Sequence, residues 1–347
     1  MSDPQSSFLA QFPNALFLSS DHLDALPGLL RNRGWIAPDE TVTGFEKPGE
    51  GNMNFVIRVK TTRRSFVLKQ ARPWVEKYPQ VAAPANRVAT EARFYELVAE
   101  YPALRANLPG LVGYDAENLL LALDDLGPNA DFTNLYLRST PPDLPALRAL
   151  AWFLSTLHSP NFGWPDFPSN QALKRVNHEH IFEFPYRNDA GFDLDSVQPG
   201  LQALANPYRH DGALKTRIRT LGEVYLGSGP TLLHGDFYPG SWLQTAAGPK
   251  VIDPEFAYFG RAEYDLGVML AHLRMARIGE AGIAEILSHY QAPPGFDPAL
   301  AAQFSGAEVL RRLLGLAQLP TDLGLEEKAE LLATARRMVL EPLFPIG

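Results

Sequence analysis

The stretch Leu232–Phe256, LLHGDFYPGSWLQTAAGPKVIDPEF, decides how the rest of the chain is read. Two short apolar runs end in acids: Leu232-Leu233 before His-Gly-Asp236, and Val251-Ile252 before Asp253-Pro-Glu255. A strand that runs out at Gly235 puts Asp236 in a loop, where the glycine can take a tight backbone angle. An acid so placed can accept or orient the proton of an attacking hydroxyl. If the chain stays extended through Pro254, Asp253 and Glu255 point to one side, as two hard oxygen ligands for Mg2+ would. Pro254 has no N–H for a central ladder, so the spot fits a strand's end. The competing reading is three unrelated loop acids. The repeated context, apolar strand then acid, weighs against it.

Upstream, SSDHLDALPGLLRNRGW reads as a short helix with Ser20 or Asp21 as N-cap and Gly34 as its stop. NMNFVIRVK (Asn52–Lys60) and RSFVLKQ (Arg64–Gln70) read as two strands joined by polar turn residues. NRVATEARFYELVAEY (Asn86–Tyr101) carries apolar residues at helical spacing. NLLLALDDLGPNA is an apolar strand that breaks at Asp124, Asp125 and Gly127. Beyond it, PALRALAWFLSTLHS, EYDLGVMLAHLRMA and SGAEVLRRLLGLAQL all have helical patterns. The expected fold class is therefore α+β. A small strand-rich lobe with one helix spans 1–123, a connector lies near 122–127, and a larger, mainly helical lobe spans 124–347.

Composition bounds the function. The chain has 347 residues, 46% hydrophobic and 20% charged, an ordinary globular balance long enough for two domains. Its formal charge of −8 argues against broad affinity for nucleic acid or anionic membrane. The absence of cysteine excludes disulfides, thiolate metal sites and cysteine nucleophiles. No run of about 18 apolar residues is present to span a membrane. The first thirty residues lack the basic start and apolar block of a secretory signal, so a cytoplasmic address is the default expectation.

Other candidates gain meaning only in combination. Gly49 and Gly51 precede the strand that begins near Asn52, and glycines there let backbone N–H groups approach phosphates. Alone, such a pair is more often a plain turn. Lys69, on one strand face with Val67, would be a solvated edge charge by itself. Glu91 on the next helix is its natural partner, and an ion pair would hold Lys69 within reach of phosphate oxygens. Arg311 and Arg312 sit in a helix that is apolar almost all round, where adjacent side chains diverge about the axis. At least one needs an internal anionic partner, because a buried unpaired charge is costly; a solvated stripe is the competing reading. His178 and His180 could share a strand face, but no third ligand lies nearby and a structural or surface role is favoured. His158 reads as a helix C-terminal residue favoured by the dipole.

HGD followed by VIDPEF resembles the catalytic and metal-binding segments of the protein-kinase-like small-molecule phosphotransferases, and within them the methylthioribose kinase family. GEGNMNFVIRV, FVLKQARPWV, HIFEFPY, HGDFYPGSWL, VIDPEFAYFGRAEYDLG and EVLRRLLGLAQ are similar to segments of that family in the same order. The resemblance implies a bilobal protein-kinase-like fold, ATP and Mg2+ as cofactors, and a small hydroxylated substrate, with methylthioribose first. It makes Asp236 the catalytic aspartate and Asp253 and Glu255 the magnesium ligands. It puts Gly49, Gly51, Asn52, Lys69 and Glu91, with the backbone of Asp124 and Leu126 in LDDL, around the nucleotide. Arg311 and Arg312 match an arginine pair near the substrate, and a homodimer is suggested.

The chain also departs from the pattern. Ser241 stands where many kinases have a metal-binding asparagine, HGDFY replaces the more usual Leu-His, and the segment from Lys69 to Glu91 is short where the family carries a tryptophan-bearing flap. These changes put the acceptor in doubt. The rival expectations are a kinase of the same fold acting on an aminoglycoside, choline or another pentose, and a nucleotide-binding protein without transfer activity.

Overall fold

The computed structural model describes residues 3–21, 23–48, 53–189 and 191–342. The chain divides into two compact units, Met1–Asn129 and Ala130–Gly347. Residues 125–127 are tied to the first: Arg58 donates to the Asp125 carboxylate (2.8 and 3.1 Å) and to the Gly127 carbonyl (3.0 Å).

The first unit is built on five antiparallel strands in the order β1-β2-β3-β7-β6: β1 Val42–Glu46, β2 Phe55–Thr61, β3 Ser65–Gln70, β6 Leu111–Asp115 and β7 Leu120–Asp124. Strand alternation sends Ile57, Val59, Phe66, Leu68, Leu120 and Ala122 into one core with Leu26, Leu30 and Trp35. Leu26 and Leu30 come from α2 (Leu26–Asn32), which follows α1 (Pro4–Gln11). Helix α3 (Arg87–Ala99), followed by the single turn α4 (Pro102–Arg105), supplies Glu91 to Lys69. Between β3 and α3 the short segment folds as a small ribbon, β4 (Trp74–Val75) with β5 (Tyr78–Ala82), which the sequence patterns do not announce.

Helix α2 starts later than its sequence implies. Ser20 and Asp21 are not its N-cap; Ala25 is, without a side-chain cap. The proline of LPGLL occupies the first turn, where its fixed φ suits a helix start and its missing N–H costs nothing. The helix ends before Gly34, whose φ of +71° is open to glycine.

The N-terminal residues form a strap on this unit. Leu16 N–H donates to Asn118 Oδ1 (2.7 Å), Leu18 N–H to Gln70 Oε1 (2.9 Å), and Gln70 Nε2 to the Leu16 carbonyl (2.6 Å). Arg72, almost fully buried, donates to the Leu18 carbonyl and lies 5.2, 4.0 and 5.3 Å from the rings of Phe8, Phe17 and Phe55. Burial pulls its pKa down to about 10 despite the opposing charge of Glu76.

The second unit is mainly helical: α5 Leu144–Leu157, α6 Gln171–His178, α7 Leu201–Arg209, α8 Gly212–Leu226, α9 Ala262–Met275, α10 Glu280–Leu287, α11 Pro298–Leu314 and α12 Leu325–Leu340. Its strands, β8 Thr231–Leu233, β9 Trp242–Thr245, β10 Gly248–Val251 and β11 Tyr258–Gly260, form two antiparallel pairs, β9 with β10 and β8 with β11. All of them fall in or beside the opening stretch. Helix α11 is buried from Ala301 to Leu314 and packs on α9 and α12. Helix α9 comes close because its residue 267 is glycine; a Cβ there would press on the Ala301 carbonyl. His178 and His180 are not on a strand. Helix α6 runs on into a π-helical turn, Glu179–Glu183. Among the described residues, no helix is long and apolar enough to cross a membrane.

Candidate active site

The loop after β8 is held by its backbone. Asp265, fully buried on α9, accepts the N–H groups of His234 (2.7 Å) and Gly235 (3.0 Å) and faces His158 Nε2 at 3.3 Å. His158 caps α5, as a C-terminal residue should, but its ring is buried between Asp265 and the Tyr290 hydroxyl rather than solvated. Gly235 has φ +84°, and a Cβ would collide with the Phe256 carbonyl, so the turn that presents Asp236 requires glycine.

His234 joins this loop to the next one. Its Nε2–H donates to the Ile252 carbonyl (2.9 Å), which leaves Nδ1 to accept the Asp236 N–H (3.3 Å). Ser241 is buried and donates its hydroxyl to the Asp236 carbonyl (2.9 Å). Its own carbonyl accepts the Ile252 N–H (3.0 Å).

The reading of Asp253-Pro-Glu255 as extended is corrected here. Asp253 is left-handed (φ +63°, ψ 47°), and Pro254–Phe256 form a 3₁₀ turn. A proline start, with its preset φ, favours that turn over a continued strand. Asn170 Nδ2 holds it by donating to the carbonyls of Glu255 (2.8 Å) and Ala257 (3.2 Å). Glu255 is buried.

Arg311 and Arg312 are buried, so the solvated-stripe reading fails. Their anionic partner is Glu308 on the same helix. Arg311 Nη1 donates to both of its oxygens (3.1 and 3.0 Å), and Arg312 Nε donates to Oε1 (2.6 Å). Positions three and four residues on both reach back to one carboxylate, although the two side chains diverge. Arg312 Nη2 lies 3.8 Å from Asp236 Oδ1, and its guanidinium sits 4.6 Å from the Tyr238 ring centre. His272 on α9 closes the network: its Nε2–H donates to Glu308 (3.2 Å), and Nδ1 accepts the Tyr136 hydroxyl (2.6 Å). Burial pulls the His272 pKa down to about 4 against the pull of Glu308, so the ring is neutral at physiological pH.

The electrostatics favour a base. Burial raises the Asp236 carboxyl to about 6, with Arg312 and Arg311 opposing and Glu308 and Asp253 adding to the rise. Its side chain keeps 21% exposure, enough to meet a ligand. Glu308 goes the other way: burial pushes up, but Arg311, Arg312 and His272 together hold it well below the carboxylate range.

In the first unit Lys69 Nζ donates to Glu91 Oε1 at 2.7 Å, with both side chains buried. Arg87, one turn before Glu91, donates to Asn54 Oδ1 (3.1 Å) and to the carbonyls of Met53 (2.7 Å), Arg72 (2.6 Å) and Pro84 (3.0 Å). Asp124 ends β7 with its side chain exposed and its N–H donating to the Gly110 carbonyl (2.8 Å). The Leu126 carbonyl accepts Asn129 Nδ2. Gly49, Gly51 and Asn52 lie outside the described residues.

The structure thus gathers Asp236, Arg311 and Arg312 in the second unit, with Asp253 near enough to act on Asp236 by charge, and pairs Lys69 with Glu91 in the first. Sequence reasoning missed Glu308, His272, Asp265 and His234. Two left a local signal: Glu308, an acid three and four residues before two arginines in an apolar helix, and His234, two residues before Asp236 in the same motif.

Among the described residues, no group of three or more His, Asp or Glu side chains could hold a metal. Asp253 and Glu255 offer carboxylate oxygens, the donor type Mg2+ takes, commonly one or two at a time with phosphate oxygens and water in its remaining positions.

The matched family model is the phosphotransferase enzyme family, over residues 44–304. The chain belongs to that family. A methylthioribose kinase of Exiguobacterium sibiricum is 27% identical over 250 residues, covering 69% of this chain and 62% of that protein. One from Bacillus cereus strain G9842 is 25% identical and is covered over 58% of its length, so the chain spans about three-fifths of these two relatives. Another, from Bacillus cereus strain B4264, is 24% identical over 339 residues, 84% of each protein. Two solved structures share the fold, a protein-kinase-like one. LicA in complex with AMP has a TM-score of 0.53 at 14% identity, covering 92% of this chain and all of that one. A spectinomycin phosphotransferase in complex with ADP and spectinomycin has a TM-score of 0.51 at 13% identity, covering 91% and 97%.

Proposed function

We propose that the chain transfers the γ-phosphoryl group of ATP to a hydroxyl of a small neutral polyol, with methylthioribose the first candidate. The observation that carries this is Asp236, a carboxylate lifted to about 6 on a built loop beside Arg312. Such a group is largely ionised at neutral pH yet basic enough to take a proton as the alcohol oxygen attacks. In the step, that oxygen bonds to the γ-phosphorus, its proton passes to Asp236, and the bond from phosphorus to the β,γ-bridging oxygen breaks to release ADP. Lys69, fixed by Glu91, serves the α- and β-phosphates, and the backbone of Asp124 and Leu126 serves adenine. Asp253 and Glu255 would hold Mg2+, which would supply charge neutralisation on the phosphates.

Charge points to the acceptor. Glu308 and Asp236 balance Arg311 and Arg312, so this part of the site sums to zero with the base ionised. A neutral polyol fits such a site; a cationic amino alcohol has no surplus acid to meet it there. The methylthioribose kinase relatives support the same choice. Incubation with ATP, Mg2+ and a panel of sugars, aminoglycosides and amino alcohols, with products weighed by mass spectrometry, tests the reading. A phosphorylated pentose derivative is expected. Phosphorylation of choline or an aminoglycoside alone would replace the acceptor, and no transfer to anything would leave a nucleotide-binding protein.

A further inference from the structure

The arginine pair has a keeper of its own. Glu308 is 1% exposed and spends both oxygens on Arg311, with Oε1 also serving Arg312 and His272. His272 is oriented in turn by the Tyr136 hydroxyl, and Arg277 Nη1 donates to the Tyr136 carbonyl (3.1 Å). The chain Tyr136–His272–Glu308 therefore ends on the guanidinium nearest Asp236. Among the described residues, Arg311 Nε is buried without a hydrogen-bond partner, so the pair is held in place but not saturated by the protein.

From this geometry we infer that Glu308 is a positioning residue for the acceptor, acting through Arg311 and Arg312. It fixes Arg312 beside Asp236 and sets the spacing of the two guanidinium groups. A buried acid is the right chemistry for this task. Two adjacent cations off one helix would repel each other and swing apart; one carboxylate accepting from both sets their spacing and removes half of their charge. The inference rests on the phosphotransfer reading above.

Glu308→Gln keeps the shape and removes the charge. Steady-state kinetics with ATP and the accepted polyol are expected to show the acceptor KM rising about tenfold or more while the ATP KM stays within about twofold. A folded variant in which both KM values rise together, or in which neither moves, overturns the inference. If Glu308→Gln fails to fold, Tyr136→Phe takes its place, since it removes only the hydroxyl that orients His272. A rise confined to the acceptor KM supports the inference there, and its absence overturns it. A second measurement does not depend on turnover. In protein labelled with 15N-arginine, a slowly exchanging Nε–H signal lost in Arg312→Lys is expected in the parent and absent in Glu308→Gln. Its absence in the parent overturns the inference. The two failures separate cleanly: no turnover of any alcohol by the parent defeats the phosphotransfer reading, whereas turnover with an unmoved acceptor KM in a folded Glu308→Gln defeats only the role of Glu308.

Discussion

Asp236 shows how environment rather than residue type sets a carboxyl's proton affinity. Its carboxyl is raised to about 6, above its ordinary 3.8, so the fold disfavours its charge. The native state then binds a proton that the unfolded chain has released between those two values. Stability contributed by this group grows as pH falls through 6 toward 3.8 and is withheld above 6. Asp236→Asn is expected to lower turnover by roughly a thousandfold or more, leave ATP binding close to the parent's, and not lower the melting temperature at pH 7.5. A melting temperature that drops sharply there would mean Arg312 depends on this charge. In the parent, kcat/KM should decline on the acid side with a midpoint near 6, read from a pH–rate profile. Lys69→Met, by contrast, should weaken ATP use, with the acceptor KM little changed.

The residues proposed to carry chemistry could be picked out because they sit in contiguous motifs: Asp236 in HGD, Asp253 and Glu255 in DPE. Those that hold them in place were not picked out. Asp265 and His272 approach their partners across long stretches of chain, and nothing local marks an acid or histidine on a buried helix as an anchor. The local conformation of DPE also escaped the pattern, since alternation assumes an extended chain and Pro254 starts a turn instead. Glu308 could have been found, because the spacing to Arg311 and Arg312 is local.

At the scale of elements, the loop after β8 and the turn after β10 are shaped by groups that do no chemistry. Asp265 is buried and accepts two backbone N–H groups; leaving either donor unpaired would cost about 1–3 kcal/mol. Asp265→Ala is expected to lower both thermal stability and kcat, measured by calorimetry and initial rates. Gly235→Ala should do the same more severely for kcat, since it meets both a positive φ and the Phe256 carbonyl. Normal activity in Gly235→Ala would mean the loop has another way to present Asp236. Strand and helix identities came through from the patterns in the segments that were read, among them β2, β3 and β7 and helices α3, α5, α9 and α11. The start of α2 did not, because a proline in its first turn outweighed the polar residues before it. The β4–β5 ribbon carries too few residues, Trp74–Val75 and Tyr78–Ala82, for alternation to register.

For the molecule as a whole, the α+β class followed from a strand-rich first part and a helical remainder, and each unit has its own apolar core. The family-matched region begins at residue 44, after the strap that crosses the first unit. That strap closes an aromatic box around Arg72, two residues beyond the β3 terminus and three beyond Lys69. A chain trimmed to the matched region would keep Phe55 but lose two of the three rings and the Leu18 carbonyl, stranding a cation in an opened apolar hollow. Such a trimmed protein should be harder to keep soluble, and its nucleotide affinity should suffer although no nucleotide-binding side chain had been cut away.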